Sequence, residues 1–182
     1  MTGLAPHEGE LREVTAFHEA GHAVAALMRG GSSLLSVNLS DTSHGEGITW
    51  HRSPVWDQPF IAYAGPWAEV RHAWGDLPAD ALDDEGYTFD DLLSACLLFG
   101  GGADDADHVV PTLSIDGMAE NLGMTVGSDE DEEQLSQLVA ATESIWRREL
   151  EQAWPVITTV AARLLAGESV TGDQITAALY GE

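Results

Sequence analysis

The stretch FHEAGHAVAAL, residues 17–27, decides how the rest of the chain is interpreted. It contains two histidines four residues apart, His18 and His22, with Glu19 directly after the first. Apolar residues recur around this stretch at intervals of three and four, which is typical of an amphipathic helix. We therefore predict a single helix over residues 8–28, ended by a pair of glycines.

The spacing of the polar residues points to a metal site. On a helix, positions four apart share one face, so His18 and His22 can present two imidazole nitrogens to one ion. Glu19 is rotated by about 100° from His18 and can reach a water held by the metal without being a ligand. Zinc lowers the pKa of such a water towards about 7, and a nearby carboxylate can take its proton during attack on a carbonyl. The pattern predicts zinc on His18 and His22, with Glu19 as the general base and small residues such as Gly21 leaving space for a strand and the substrate.

An ordinary helix turn that carries these three residues by chance is the alternative interpretation. It would place two histidines on a core-facing stretch without a ligand, which is a costly burial of polar groups. We therefore favour the metal site.

Composition restricts the class of protein. The 182 residues include 7 Lys+Arg and 31 Asp+Glu, a formal net charge of −24 that argues against binding of nucleic acid. The one cysteine, Cys96, cannot form an internal disulfide, and no basic segment precedes an apolar run as in a secretory signal. No apolar stretch approaches the roughly 20 residues of a membrane span. We expect a cytoplasmic protein without a membrane span.

The rest of the chain predicts a small sheet and further helices, an α+β fold that is mostly α-helical with the sheet beside the HExxH helix. We interpret residues 1–128 as the core and residues 129–182 as a C-terminal helical part of the same domain. GSDEDEE, residues 127–133, is interpreted as a linker. The predicted strands cover residues 34–39 and 47–51, and the predicted helices cover residues 60–74, 91–99, a segment that ends near 122, 134–165 and 169–180.

Several segments together resemble the metallopeptidase domain of FtsH-type proteases, the zinc-dependent half of a membrane-anchored AAA+ family. The likeness lies in FHEAGHAVAA, in GEGIT at 45–49, in YAGPWAEVRHAWG at 63–75 and in GGADDADHVV at 101–110. It covers most of residues 11–124 and includes neither the ATPase module nor the membrane segments of that family.

This resemblance implies a zincin-like domain acting as a zinc-dependent endopeptidase. Without a motor, such an enzyme is expected to hydrolyse unfolded or short polypeptides without ATP. A separate ATPase partner and a homo-oligomer are both left open. The alternatives are a zinc-binding protein without proteolytic turnover and a purely structural interaction module.

Catalytic zinc takes three protein ligands and leaves a position open. In the family, the third ligand is an aspartate followed by apolar residues at helical spacing, and Asp105, followed by Ala106 and Val109, matches that pattern. Asp107 and Asp104 remain alternatives, although either could instead cap a helix N-terminus.

Glu69 is a further candidate, because in many HExxH enzymes a glutamate on a downstream helix is the third ligand. The resemblance implies instead that Glu69 orients a zinc-ligating histidine through its other ring nitrogen. The remaining histidines have no comparable spacing and are interpreted as surface or incidental residues: His7, His44, His51, His72 and His108.

The strand EGITWH, residues 46–51, is the candidate for substrate recognition. An extended peptide can add to an exposed strand edge, where main-chain hydrogen bonds give affinity and local pockets select side chains. We therefore predict that Gly47, Ile48 and Thr49 bind the substrate.

Overall fold

The structure is a computed structural model that describes residues 8–30, 33–39, 47–78, 80–99 and 103–181. This part of the chain is mostly helical and contains one two-stranded antiparallel sheet, as the α+β prediction requires. None of its helices has both the length and the apolar composition needed to cross a membrane. The elements are α1 Glu8–Met28, β1 Ser33–Leu39, β2 Gly47–Arg52, α2 Gln58–Trp74, α3 Phe89–Phe99, α4 Ala103–Leu113, α5 Ile115–Leu122, α6 Asp129–Leu165 and α7 Gly172–Tyr180.

Two helices with small side chains form the centre of the fold. α1 and α2 pack against each other, and buried alanines on both helices belong to the hydrophobic core. The two helices lie close together at Gly21, where a Cβ atom would lie 2.3 Å from the carbonyl oxygen of Ala64. The expectation that Gly21 leaves space for a strand and the substrate is therefore wrong, because α2 fills that space. A residue without a Cβ lets the two helix backbones come this close.

The sheet covers one side of α1. β1 and β2 are antiparallel, with Val37 opposite Thr49 and Leu39 opposite Gly47, and the two predicted strands are confirmed. Val37 is fully buried and pairs in an isolated bridge with Val170, just before α7. The predicted connection between the strands and the glycine loop before α4 lie outside the described residues.

The long helix α6 differs from the prediction at its start. Residues 129–133, predicted as part of a linker, form the first turn of the helix. Ser128 caps this end, since its hydroxyl accepts a hydrogen bond from the backbone N–H of Asp131 at 3.2 Å. The first four residues of the helix are all acidic, and negative charge at a helix N-terminus interacts favourably with the helix dipole. Composition suggested a linker, but the cap and the dipole stabilise a helix.

The predicted helix that ends near residue 122 is instead two helices, α4 and α5. Ser114 separates them and caps α5 by accepting a hydrogen bond from the backbone N–H of Gly117 at 3.1 Å. A Cβ atom on Gly117 would lie 2.2 Å from the carbonyl oxygen of Pro111, so the glycine permits a tight corner.

Candidate metal centre

Three side chains from two helices bring one ligand atom each to a single point. His18 and His22 lie on α1 and Asp105 lies near the start of α4. The Nε2 atoms of the two histidines are 3.0 Å apart. Oδ2 of Asp105 lies 3.4 Å from Nε2 of His18 and 3.5 Å from Nε2 of His22. The three atoms form a compact triangle of two nitrogens and one oxygen.

The size of this triangle fits a zinc ion. Ligand bonds of about 2.0–2.2 Å to a tetrahedral zinc separate two ligand atoms by about 3.3–3.6 Å. Two of the separations, 3.4 and 3.5 Å, fall in that range, and the third, 3.0 Å, is slightly shorter. Imidazole nitrogen and carboxylate oxygen are both established zinc donors. The residues present therefore fit a metal ion held by three protein ligands.

One row of residues on α2 fixes the orientation of both histidines. Ile61 and Glu69 lie four positions before and after Gly65, so all three share one face of the helix. Nδ1 of His22 lies 2.8 Å from the carbonyl oxygen of Ile61, to which it donates when protonated. Nδ1 of His18 lies 3.3 Å from Oε2 of Glu69. Because each Nδ1 has a partner on α2, each Nε2 is left for the ion.

Gly65 lies between those two contacts and leaves room for the imidazoles. A Cβ atom on Gly65 would lie 2.4 Å from Nε2 of His22 and 3.0 Å from Nε2 of His18. Any side chain here would occupy the position of the ligand atoms. The sequence interpretation gave Gly65 no role in the site, although its spacing of four from Glu69 could have indicated one.

The charges around the triangle favour a cation. Burial alone would lower the pKa of His18, but hydrogen bonds to Asp105 and Glu69, with the negative charges of Asp105 and Glu19, raise it to about 9. Burial of Asp105 opposes its ionisation, yet hydrogen bonds and the charges of His18 and His22 hold the pKa of this carboxyl well below its usual range. Without a metal, the site therefore retains a proton on His18 at neutral pH.

This proton predicts a pH dependence of zinc binding. A metal ion such as zinc binds deprotonated imidazole, so an ion entering this site would have to displace the proton of His18, and its affinity would fall about tenfold per pH unit below the raised pKa. We expect apparent zinc affinity, measured by competition with a chromophoric chelator of known protonation, to be about tenfold tighter at about pH 8 than at about pH 7. Glu69→Gln should weaken this dependence, because it removes one group that raises the pKa of His18. Equal affinities at both pH values in the wild type would contradict the prediction.

Glu19 is buried beside the triangle and held by the sheet. Only 8% of the surface of Glu19 is exposed to solvent. Oγ1 of Thr49 donates a hydrogen bond to Oε2 of Glu19 at 2.6 Å, which satisfies part of the buried carboxylate. A Cβ atom on Gly47 would lie 2.4 Å from Cγ of Glu19, so the strand backbone packs directly on this side chain.

An open cleft of about 480 Å³ leads to these residues. α1 contributes Glu19 and His22 to its walls, α4 contributes Asp105, and α2 contributes the apolar Ile61. The other wall is formed by residues 47–51 of β2. Within the described residues, no strand pairs with the second edge of β2, and this strand borders the cleft.

The three residues predicted to bind substrate lie on two different faces of β2. Gly47 and Thr49 contact Glu19, as described above. Ile48 points to the other face and is exposed, as is Trp50, and both line the cleft. Alternation along a strand explains this division. The prediction for Ile48 remains compatible with contact to a substrate side chain, whereas the hydroxyl of Thr49 is already occupied.

The other candidate ligands lie away from the triangle. Asp104 and Asp107 are exposed, and neither belongs to the group that converges with His18 and His22. Helical geometry explains this, because on α4 Asp104 is rotated by about 100° and Asp107 by about 200° from Asp105. Glu69 contacts His18 on the ring nitrogen opposite the triangle.

The remaining histidines have different surroundings. His51 and His108, interpreted from sequence as incidental, line the cleft. Nδ1 of His51 lies 2.7 Å from Oγ of Ser53, and burial together with the charge of His22 lowers the pKa of His51. His72 stacks on Phe17 with ring centroids 3.8 Å apart. His7 and His44 lie outside the described residues.

Comparison of the chain with protein-family models, with curated proteins and with solved structures finds no match in any of the three. Support for a function therefore comes from the arrangement of His18, His22, Asp105 and Glu19 around the cleft.

Proposed function

We propose that this protein is a zinc-dependent endopeptidase that hydrolyses peptide bonds of unfolded or short polypeptides. One observation carries the proposal. Two imidazole nitrogens and one carboxylate oxygen converge with separations of 3.0, 3.4 and 3.5 Å, next to a buried glutamate in an open cleft. The order of an HExxH helix, a strand and a downstream aspartate ligand supports placing it in the FtsH-type, zincin-like class.

Each residue has a distinct role in this proposal. His18, His22 and Asp105 would hold the ion, which would supply polarisation of a substrate carbonyl and a lowered pKa of water. Glu19 accepts the proton of the attacking water and delivers it to the nitrogen of the leaving amine. Its Oε2 accepts a hydrogen bond from Thr49, and the ionised carboxylate keeps further lone pairs for that proton. Glu69 keeps His18 oriented through Nδ1.

The cleft fits an extended peptide better than a folded protein. β2 offers an unpaired edge within the described residues, and a peptide backbone can add to such an edge through main-chain hydrogen bonds. Ile48 and Trp50 are exposed there and offer apolar contacts for substrate side chains. A folded domain rarely presents a free extended segment, which is why unfolded or short chains are the proposed substrates.

A zinc-binding protein without turnover is the alternative. Structural zinc sites are almost always closed by four protein ligands, whereas catalytic sites use three and keep one position open. In the described part of the chain three ligands converge, and they face a cleft rather than a sealed core. A buried carboxylate beside the ligands, as at Glu19, is a feature that a catalytic site uses as its general base. These features favour the enzyme.

Metal content and hydrolysis measured together test the proposal. We expect the wild type to bind about one zinc per chain and to cleave casein. A chelator should remove the zinc and stop cleavage, and added zinc should restore both. Asp105→Ala should weaken zinc binding by about 100-fold or more, since about 10–16 kcal/mol of zinc binding energy is shared among the ligands of a site. Asp107→Ala, two positions away and exposed, is the matched control and should bind zinc normally.

Two outcomes would contradict the proposal. A wild type that stays metal-free when zinc is supplied would exclude the metal site altogether. A wild type that binds zinc but cleaves neither casein nor short peptides would support the alternative without turnover.

A further inference from the structure

Glu19, the proposed general base, lies on α1, but its side chain is held in place by β2. Glu19 belongs to α1, yet its carboxylate is bound by the hydroxyl of Thr49 on β2, with Oγ1 2.6 Å from Oε2. The same hydroxyl oxygen lies 3.1 Å from the backbone oxygen of Glu19. A side chain with several rotatable bonds is thus tied at its far end to a strand.

The backbone of β2 restricts the same side chain from a second direction. A Cβ atom on Gly47 would lie 2.4 Å from Cγ and 2.8 Å from Oε1 of Glu19. Gly47 and Thr49 are two positions apart and therefore share one strand face. Ile48 and Trp50, on the opposite face, are exposed. One face of β2 holds the glutamate, and the other is accessible.

The choice of threonine suits this task. Its branched Cβ restricts rotation about χ1, so the hydroxyl has a defined direction. A hydrogen bond from a neutral hydroxyl to a carboxylate is short and strong without neutralising the charge that a base needs. Among the described contacts of the carboxylate, this hydrogen bond restricts rotation of the carboxylate group.

We propose that Thr49 is the positioning residue of the general base: its hydroxyl binds Oε2 of Glu19 and so fixes the orientation of the carboxylate that takes the proton of the attacking water. This inference rests on the proposed function. The predicted binding of substrate along the strand edge at Gly47, Ile48 and Thr49 uses the backbone and stays a prediction beside this role of the hydroxyl. Since Thr49 belongs to the strand along which the peptide docks, β2 links docking of the substrate to the orientation of the base.

Two substitutions, Thr49→Val and Thr49→Ser, distinguish the effect of the hydroxyl from the effect of the shape of the side chain. Valine keeps the branched form and loses the hydrogen bond, and serine keeps the hydrogen bond. We expect Thr49→Val to lower kcat by about 10- to 100-fold, the range for loss of a hydrogen bond to a charged group, with KM and zinc content unchanged. Thr49→Ser should stay within a few-fold of the wild type. Thr158→Val, which removes an exposed threonine hydroxyl on α6, is the control and should leave kcat unchanged.

A binding measurement complements the kinetics. A peptide hydroxamate binds zinc and gives its hydroxyl proton to a basic carboxylate beside the ion. Calorimetry on the zinc-loaded proteins should show about tenfold weaker hydroxamate binding by Thr49→Val than by the wild type, and near wild-type binding by Thr49→Ser. This difference does not depend on turnover.

The outcomes separate this inference from the proposed function. A Thr49→Val variant with wild-type kcat and hydroxamate affinity would overturn the inference while hydrolysis by the wild type still stands. A change confined to KM, or a loss of zinc, would also overturn it, because the hydroxyl would then serve the substrate or the metal. If circular dichroism shows that Thr49→Val is unfolded, Thr49→Ala takes its place, and its kcat and hydroxamate affinity should be lower than those of Thr49→Ser. A wild type that binds zinc without hydrolysis would defeat the proposed function, and hydroxamate binding would still test Thr49.

Discussion

Replacing Glu19 with glutamine will abolish peptide hydrolysis and leave zinc binding intact. Loss of a general base typically lowers the rate by about 10²- to 10⁴-fold. Glutamine keeps the size of the side chain, and its amide oxygen can still accept the hydrogen bond from Thr49. Its amide group cannot take a proton from water near neutral pH. Only the chemistry is removed, while the ligand atoms on His18, His22 and Asp105 are untouched.

Zinc content and kcat should be measured on the same preparations of wild type and Glu19→Gln. Glu13→Gln is the matched control, because Glu13 lies on the same helix with a half-exposed side chain. It should hydrolyse casein at the wild-type rate. Hydrolysis retained by Glu19→Gln would assign the activity to another base or to a contaminant, and loss of zinc would make Glu19 a ligand.

Gly65→Ala should weaken zinc binding more than any loss of a single ligand, by about 10³-fold or more. The added methyl group would lie 2.4 Å from Nε2 of His22 and 3.0 Å from Nε2 of His18, so both ligands must move. Helix propensity alone would make the metal-free variant more stable than the wild type, because alanine is about 1 kcal/mol more favourable than glycine inside a helix. If the variant folds normally but does not bind zinc, the loss of binding is caused by the displaced histidines and not by unfolding.

Zinc affinity by chelator competition and stability by urea unfolding of the metal-free protein should be measured together. Gly9→Ala is the control, since Gly9 lies in α1 and a Cβ atom there meets nothing within 4 Å. It should keep wild-type zinc affinity. Wild-type affinity in Gly65→Ala would mean that His18 and His22 do not hold the ion in the arrangement described.

Local sequence patterns predicted the part of the site that lies on one helix. The spacing of apolar residues gives α1 from residue 8 to residue 28, and the same periodicity puts His18 and His22 on one face. Both strands were also predictable, because alternation and the flanking turn residues are local signals. The last helix was predicted over residues 169–180, and α7 begins after Thr171, whose side chain forms a capping box with Gln174.

Features that depend on packing between elements could not be predicted in the same way. Sequence left Asp104, Asp105 and Asp107 open as ligands, because the rotation of α4 that selects Asp105 is set by its contact with α2. The hydrogen bond from Thr49 to Glu19 joins residues 30 positions apart. The acidic run after Ser128 was misjudged because charge composition is shared by linkers and by helix N-termini.

The row of Ile61, Gly65 and Glu69 also determines how α1 and α2 can align along their axes. Gly21 already restricts this alignment, because only a residue without a Cβ fits against the carbonyl oxygen of Ala64. Only one register places the residue without a side chain under the imidazole pair, because a shift by one turn would bring Ile61 or Glu69 there instead. Occupancy of the metal site would thus lock the helix pair in one register, so the ion would specify the fold as well as the chemistry.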